Sequence, residues 1–377
     1  MIVTVTPNPA LDLTWHVERI EHGGVHRADA GRARAGGKGL NVARVAHAEG
    51  ADAVAIATVG GATGEEFSAE LQASGVPHVL VPVAASTRRS IALVDESLGD
   101  TTIVNERGIA PAAGEWDALR DAVRAALAGG AARTTSGADT PDVGRIPGNG
   151  PTSGVSAPGA DAGSRRVLVV SGSLPPGTPA DVLPSLIALG RDAGATVIVD
   201  TSGPSLLQAA DAGASVLKPN AAELAEATGL DDPLDGAREL LRRGAELVLL
   251  SRGAEGMLAI TAASDTAASD TDLHVVSARL PAPLAGNPTG AGDAAVAACA
   301  VLMDAGIRDP GRILRRATAW SAAAVLMPLA GDIHPTWPDL EAAVVLETSD
   351  SARDPRADTV SRAESDVSPA SDQKDTR

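Results

Sequence analysis

Gly286-Asn287-Pro288-Thr289-Gly290-Ala291-Gly292-Asp293-Ala294-Ala295 is a turn of small residues running into an Ala-rich apolar segment that reads as a helix. Backbone N–H groups at a helix start lack intrahelical partners and lie at the positive end of the helix dipole, so glycines that admit an anion make a phosphate cradle there. Gly290, Ala291 and Gly292 are the candidate donors. Asp293 is the anomaly. A carboxylate inside a phosphate cradle repels the ligand unless it takes a proton from an attacking hydroxyl, the task of a general base in phosphoryl transfer. Two plainer readings compete. Gly290-x-Gly292-x-x-Ala295 matches a relaxed dinucleotide fingerprint, but that motif follows the first strand of a βαβ unit, and here it lies late in the chain with an acid inside it. The other is a simple Asp N-cap with glycines for a tight turn.

Two further motif-like strings surround lysines. Lysine occurs three times, at Lys38, Lys218 and Lys374, against 28 arginines. Lys38 lies in Ala35-Gly36-Gly37-Lys38-Gly39-Leu40-Asn41, a glycine loop opening an amphipathic helix. Lys218 lies in Val216-Leu217-Lys218-Pro219-Asn220-Ala221-Ala222-Glu223, a short apolar run ending in polar groups as a helix begins. Neither is a Walker A loop, because Gly-x-x-x-x-Gly-Lys-[Ser/Thr] fails at its first glycine and at the residue after Lys38.

At 377 residues and 44% hydrophobic content, the chain holds one large α/β domain or two ordinary ones. It has no Tyr, one Phe (Phe67) and four Trp, so the core must be Ala, Val, Leu and Ile, with no aromatic platform for nucleic acid. A net charge of −17 argues against nucleic-acid and acidic-membrane partners. The single cysteine, Cys299, allows no internal disulfide or multi-Cys metal site and reads as a small core residue. None of the seven His stands at metal-ligand spacing. The N-terminus reads as a strand without a charged leader region, and no apolar run reaches membrane-spanning length, so a cytoplasmic protein is expected.

Apolar runs alternate with helical patterns in the βαβ manner. Strands are expected at Ile2–Thr6, Ala53–Val59, Val167–Ser171, Thr196–Asp200, Ser215–Lys218, Leu247–Ser251 and Met257–Ile260. Helices are expected near 40–49, 64–74, 115–128, 180–193, 221–228 and 234–243. Near-continuous apolar strands are buried on both faces, which predicts an α/β fold with a mainly parallel sheet and helices on each side. Residues 13–35 and the hairpin-like pair Ser90–Val94 and Thr101–Val104 are polar and strand-like, and predict a small separate sheet. Residues 129–165 and the tail 348–377 are too poor in apolar side chains to offset ordering, and the Ala-Ala-Ser-Asp-Thr repeat in Thr261–Thr271 reads as a solvated hairpin extension.

Taken in order, these strings resemble the ribokinase-type (PfkB) carbohydrate kinases, in the branch of 1-phosphofructokinase and tagatose-6-phosphate kinase. The markers are Thr4-Val5-Thr6-Pro7-Asn8-Pro9-Ala10-Leu11-Asp12, Gly36-Gly37-Lys38-Gly39-Leu40-Asn41, Thr87-Arg88 with Asn105-Glu106, and Ser171-Gly172-Ser173-Leu174-Pro175-Pro176-Gly177. Lys218-Pro219-Asn220-Ala221-Ala222-Glu223, Ser251-Arg252-Gly253-Ala254-Glu255-Gly256 and the Asp293 cradle follow. The resemblance implies a ribokinase-like kinase domain over residues 1–347, with lid segments at about 13–35 and 87–108. It also implies ATP and Mg²⁺, a sugar phosphate acceptor, and a homodimer formed through the lid. Asp293 would be the base and Asp12, Gly37, Lys38 and Asn41 would hold the sugar, the competing reading of those glycines being close packing. Arg27, Lys38, Arg88 and Arg107 are candidates for gripping the acceptor's phosphate, against a solvated lid surface for the arginines, and Ser173 is a further substrate-binding candidate. Lys218, Asn220, Ser251, Gly253, Gly256 and Thr289 would line the nucleotide site, with Asn220 and Glu223 helping to place Mg²⁺. An N-cap with an acidic first turn explains Asn220 and Glu223 as well, and a plain strand-to-strand turn explains Gly253 and Gly256. Fructose 1-phosphate is the leading acceptor. Tagatose 6-phosphate, fructose 6-phosphate and free hexoses are alternatives, and a non-catalytic sugar-binding protein is the alternative class.

Overall fold

The computed structural model describes residues 1–129, 165–263 and 272–349. The continuous apolar runs form the middle of a ten-stranded sheet. From one edge its order is β14 (Val345–Ser349), β13 (Leu273–Arg279), β12 (Met257–Ala262), β11 (Leu247–Ser251), β10 (Val216–Leu217), β9 (Thr196–Asp200), β8 (Val167–Ser171), β1 (Ile2–Thr6), β4 (Ala53–Val59) and β5 (His78–Pro82). Strands from β11 to β5 are parallel, while β12, β13 and β14 add antiparallel at one edge.

Alternate side chains of these strands enter two opposite cores. Val3, Val5, Leu168 and Val170 pack with α3 (Ala113–Leu127), α4 (Val182–Asp192), α5 (Pro204–Asp211), α6 (Ala221–Thr228) and α7 (Pro233–Arg243). Ile2, Val167 and Val169 pack with α1 (Lys38–Ala48), α8 (Ala291–Asp304) and α9 (Pro310–Val325), with α10 (Trp337–Ala343) beside them. A strand with two buried faces has no polar side, which is why these runs read as unbroken apolar sequence. A third cluster around Phe67 and Leu71 seats α2 (Gly61–Ala73) beside the second, smaller sheet. That sheet has the order β3 (Arg32–Gly36), β2 (Ala10–Val17), β6 (Arg88–Asp95) and β7 (Asp100–Asn105). The β2–β6 pairing is parallel and the other two are antiparallel.

Several expectations need correction. The strand read at Ser215–Lys218 is only Val216–Leu217: the Ser215 carbonyl accepts from Glu246 and Leu247, and Pro219, which cannot donate, interrupts the ladder before Asn220 bridges to Ser251. The polar segment 13–35 is strand only at its ends, and β2 starts earlier, at Ala10, to pair along β6. β5, β13, β14, α5 and α10 are not among the expected elements. Each is short or mixed in polarity, and α5 starts at Pro204 behind the turn-like Thr201-Ser202-Gly203. Thr348 and Ser349, assigned to an unstructured tail, belong to β14 and pair with Val276 and Val275, covering an edge that β13 would otherwise leave open. β12 and β13 form a hairpin closed at Ala262 and Leu273. The readings of the repeat's tip (264–271), of 130–164 and of 350–377 lie outside the described residues. Among the described residues no helix is long and apolar enough to cross a membrane.

Candidate active site

β1 lies between β8 and β4, where the strand order reverses, and in open parallel sheets ligands bind outside the carboxyl ends of the strands at such a point. Ser171, Asp200 and Ser251 end β8, β9 and β11, and Lys218 follows β10. The two glycine motifs arrive at the same place. Gly37 caps α1 at φ 121, where a Cβ would lie 2.6 Å from Thr6 Cγ2. Gly290 caps α8 at φ 85, where a Cβ would lie 2.8 Å from Ala330 Cα. Only glycine satisfies both the left-handed backbone and the close approach.

Asp293 is in the first turn of α8 and 6% exposed. Asn41 Nδ2 donates to its Oδ2 at 2.8 Å. Burial, and then the nearby charge of Asp200, push its pKa up to about 7, against the opposing pull of Asn41, Lys38 and Lys218. A carboxylate that titrates near neutrality can both hold and release a proton there.

Asp200, which sequence reading missed, anchors the cations. It is fully buried, accepts from Ser171 Oγ at 3.3 Å, and lies 3.4 Å from both Lys38 Nζ (at Oδ2) and Lys218 Nζ (at Oδ1). Burial pushes Asp200 up, but Lys218 and Lys38 together hold it below the usual carboxylate range. Asp200 in turn raises the Lys38 pKa, so that ammonium stays charged. Lys218 also faces the cradle: a Cβ on Gly292 would lie 3.3 Å from its Nζ. The one signal in the sequence was an acid ending an apolar strand, Thr196-Val197-Ile198-Val199-Asp200.

Asn220 and Glu223 form a reciprocal cap on α6. Asn220 Oδ1 accepts from the Glu223 N–H at 2.8 Å, and Glu223 Oε2 accepts from the Asn220 N–H at 2.9 Å. The capping reading therefore holds, yet both side chains also line a cavity of about 370 Å³ with Asp12, Lys38, Asn41, Lys218, Ser251, Thr289, Gly290, Gly292 and Asp293. Gly253 and Gly256 do not line it. Gly256 lies where a Cβ would meet the Ala278 carbonyl at 2.0 Å, so it serves the turn between β11 and β12.

A second cavity, of about 460 Å³, shares Gly37, Lys38, Arg88 and Glu223 with the first and adds Ser173 and Arg107. Arg88 bridges the small sheet to the β1 turn, donating to the carbonyls of Asn8 (3.2 Å) and Glu106 (2.9 Å). Asn8 Nδ2 donates to the Arg107 carbonyl at 3.1 Å and to Ser173 Oγ at 3.4 Å. Arg27 is exposed between β2 and β3 and lines neither cavity. Asp12 lines the first cavity and a third, of about 580 Å³, under the small sheet. Its pKa is pushed up to about 6 by burial, against the pull of Arg88, Arg34 and Arg44. Two ion pairs that sequence reading missed border the third cavity, Arg34 with Asp332 and Arg44 with Glu70.

An acid behind a glycine cradle, two lysines on a buried aspartate and a second sheet roofing the cleft define a class, the kinases of small hydroxylated substrates. The model of the pfkB family carbohydrate kinases matches residues 7–142 and 152–337. The chain belongs to that family and is an ATP-dependent sugar kinase. A 1-phosphofructokinase of Xanthomonas campestris is 31% identical over 330 residues, covering 85% of this chain and 89% of its own. An ATP-dependent 6-phosphofructokinase isozyme 2 of Mycobacterium tuberculosis is 34% identical over 311 residues, covering 81% and 78%. The crystal structure of phosphofructokinase-2 from Escherichia coli with potassium matches at a TM-score of 0.73 and 26% identity, covering 90% of this chain and 98% of its own. A ribokinase of Arabidopsis thaliana, at 19% identity and a TM-score of 0.61, shares the fold.

Proposed function

We propose that this kinase phosphorylates a ketohexose phosphate, with fructose 1-phosphate as acceptor, and that Asp293 is its general base. Asp293 takes the proton of the acceptor hydroxyl as that oxygen forms its bond to the γ-phosphorus. The bond from the γ-phosphorus to the bridging oxygen breaks and ADP leaves. The N–H groups of Gly290 and Gly292, which line the cavity, face the charge that develops on the transferring group, whereas the Ala291 N–H, expected among the donors, is spent on the Pro288 carbonyl at 3.2 Å. Lys218, Asn220, Ser251 and Thr289 line the nucleotide side, and Asp12, Gly37, Lys38 and Asn41 the sugar side. Arg88, Arg107 and Ser173 grip the acceptor's phosphate in the second cavity, and the sheet β3-β2-β6-β7 is the lid.

Mg²⁺ fits the donor set. Glu223 spends Oε2 on its cap and keeps Oε1 as a hard oxygen donor in the cavity, 3.9 Å from Lys38 Nζ. Among the described residues no cluster of three His, Cys, Asp or Glu is placed to hold a metal, which suits an ion carried on phosphate and water. Bound there, Mg²⁺ supplies charge neutralisation on the nucleotide phosphates. The lid also carries the exposed apolar side chains Ile103 (46%) and Val104 (55%), which supports pairing of two lids in a homodimer.

The observation that carries the reading is the buried carboxylate of Asp293 within a glycine-led helix start. The 6-phosphofructokinase relative, at 34% identity, favours fructose 6-phosphate as a second reading of the same site. ATP turnover against fructose 1-phosphate, fructose 6-phosphate, tagatose 6-phosphate and free hexoses tests it. The highest kcat/KM on fructose 1-phosphate is the expected result, and preference for a free hexose removes the phosphate grip from the account.

A further inference from the structure

Arg34 lies on β3 in register with Asp12 across the β2–β3 pair. Its guanidinium donates through Nη1 and Nη2 to Asp332 Oδ2 and Oδ1 at 2.9 and 3.0 Å, a two-pronged bond between residues 298 apart in sequence. Asp332 is 42% exposed, so the pair contributes little to stability. Its geometry is more informative, because a bidentate pair fixes orientation as well as distance.

The residues preceding Asp332 touch the catalytic machinery. Ala330 seats on Gly290, the first residue of the cradle, at the 2.8 Å that a Cβ there would reach. Gly331 packs on Asn41, where a Cβ would lie 3.1 Å from Asn41 Oδ1, and Asn41 is the partner of Asp293. The turn before the cradle is tied to the same stretch, since Asn287 donates to the carbonyls of Val325 (2.9 Å) and Pro328 (3.1 Å). One loop, 328–332, therefore abuts the cradle and the partner of the base, and its last residue is fastened to the small sheet.

We infer that the Arg34–Asp332 pair is a positioning link that holds the lid and the phosphate cradle in one geometry, so that seating of the acceptor and transfer of the phosphoryl group are coupled. The inference rests on the proposed roles of Asp293 and the cradle. Neither residue touches the reacting atoms; both act through loop 328–332. Losing the link leaves each half of the site intact and blurs their registration, which lowers kcat more than it raises either KM.

The test is a double-mutant cycle with Arg34→Gln, Asp332→Asn and the double variant, assayed with ATP and the preferred acceptor of the panel. Each single change is expected to lower kcat about 10-fold, the scale on which small misplacements act. Both KM values should stay within about threefold in Asp332→Asn, which touches no proposed binding group, and in Arg34→Lys, which keeps a positive charge beside Asp12. The double variant should be no slower than the slower single one, because both changes break one link. Arg34→Lys keeps the charge without the fork and should fall between wild type and Arg34→Gln. It carries the test if the other variants fail to fold. Wild-type kcat per folded molecule in the single variants or in Arg34→Lys, or multiplicative losses in the double variant, overturns the link. Asp293→Asn, run in parallel, separates the two claims. If it keeps near-wild-type turnover, the base assignment fails; if it is inactive while the Arg34 and Asp332 variants are unimpaired, only the link fails.

Discussion

Asp293 and Arg88 border the same cavity from sides of different construction. Asp293 stands on α8, buried from Asp293 through Ala300 between the main sheet and α9, and is itself 6% exposed. Arg88 stands on a four-stranded sheet whose outer strand, β7, is exposed at every residue. Deep packing fixes geometry, whereas an element with few buried contacts opens at low free-energy cost. The proposed transfer chemistry thus sits in the deeply packed part of the molecule, and the proposed acceptor grip in the more thinly packed part.

On the proposed roles, changes to groups around the reacting atoms should strike kcat and changes to groups that grip the acceptor should strike the acceptor KM, while the Arg34–Asp332 link, which spans the two sides, should register in kcat. Asp293→Asn is the largest case. It should keep secondary structure and ATP affinity while lowering kcat about 10²-fold or more, the usual extent of general-base loss. Turnover within a few-fold of wild type would break the comparison at its buried end.

Arg88→Ala tests the other end. Loss of a charge-assisted contact worth roughly 1.5–3 kcal/mol should raise the acceptor KM about 10-fold or more and leave the ATP KM nearly unchanged. Equal increases in both would erase the distinction. Arg88 is a cleaner probe than Lys38, whose removal also strips a partner from the buried Asp200.

Stability should report the cost of keeping Asp293 where it is. Its pKa rises from 3.8 unfolded to about 7 folded, so the folded state binds the proton more tightly. No penalty exists below about pH 4; it grows as pH rises and is complete above about pH 7. Asp293→Asn, which stays neutral, should melt at the same temperature as wild type at low pH and higher at pH 8, with a gap of about 1 kcal/mol or more. A gap that narrows with rising pH contradicts the burial-driven shift. Ser173→Ala should give the smallest effect, a several-fold rise in acceptor KM from a neutral hydrogen bond worth about 0.5–1.5 kcal/mol. A fall in kcat there would place Ser173 on the wrong side of the comparison.

The same division governs what the sequence disclosed. Val167–Ser171 and Leu247–Ser251 were legible because strands buried on both faces have no polar residue to interrupt them. The cradle and both lysine strings were legible because helix starts are local, written in consecutive glycines and capping residues. β2, Ala-Leu-Asp-Leu-Thr-Trp-His-Val, mixes polar and apolar side chains because it belongs to the thin sheet, and its true start at Ala10 was hidden in a motif. Asp200 escaped because nothing in one strand reveals that two lysines, 162 residues before it and 18 after, converge there. Arg34 and Asp332 escaped for the same reason: only the folded chain brings their loop to Gly290 and Asn41. Arg27, chosen for its charge, lies on the exposed stretch between β2 and β3, away from both cavities.

The pH dependence of kcat/KM for the acceptor, which follows ionisation of the unliganded site, is the sharpest test of the base. An acid limb is expected at about pH 7, where Asp293 loses its proton, with kcat/KM falling tenfold per unit at lower pH and the limb absent from the residual activity of Asp293→Asn. A kcat/KM that stays flat from pH 5 to pH 8 in a folded enzyme, or a limb that survives unchanged in Asp293→Asn, rules Asp293 out as the base.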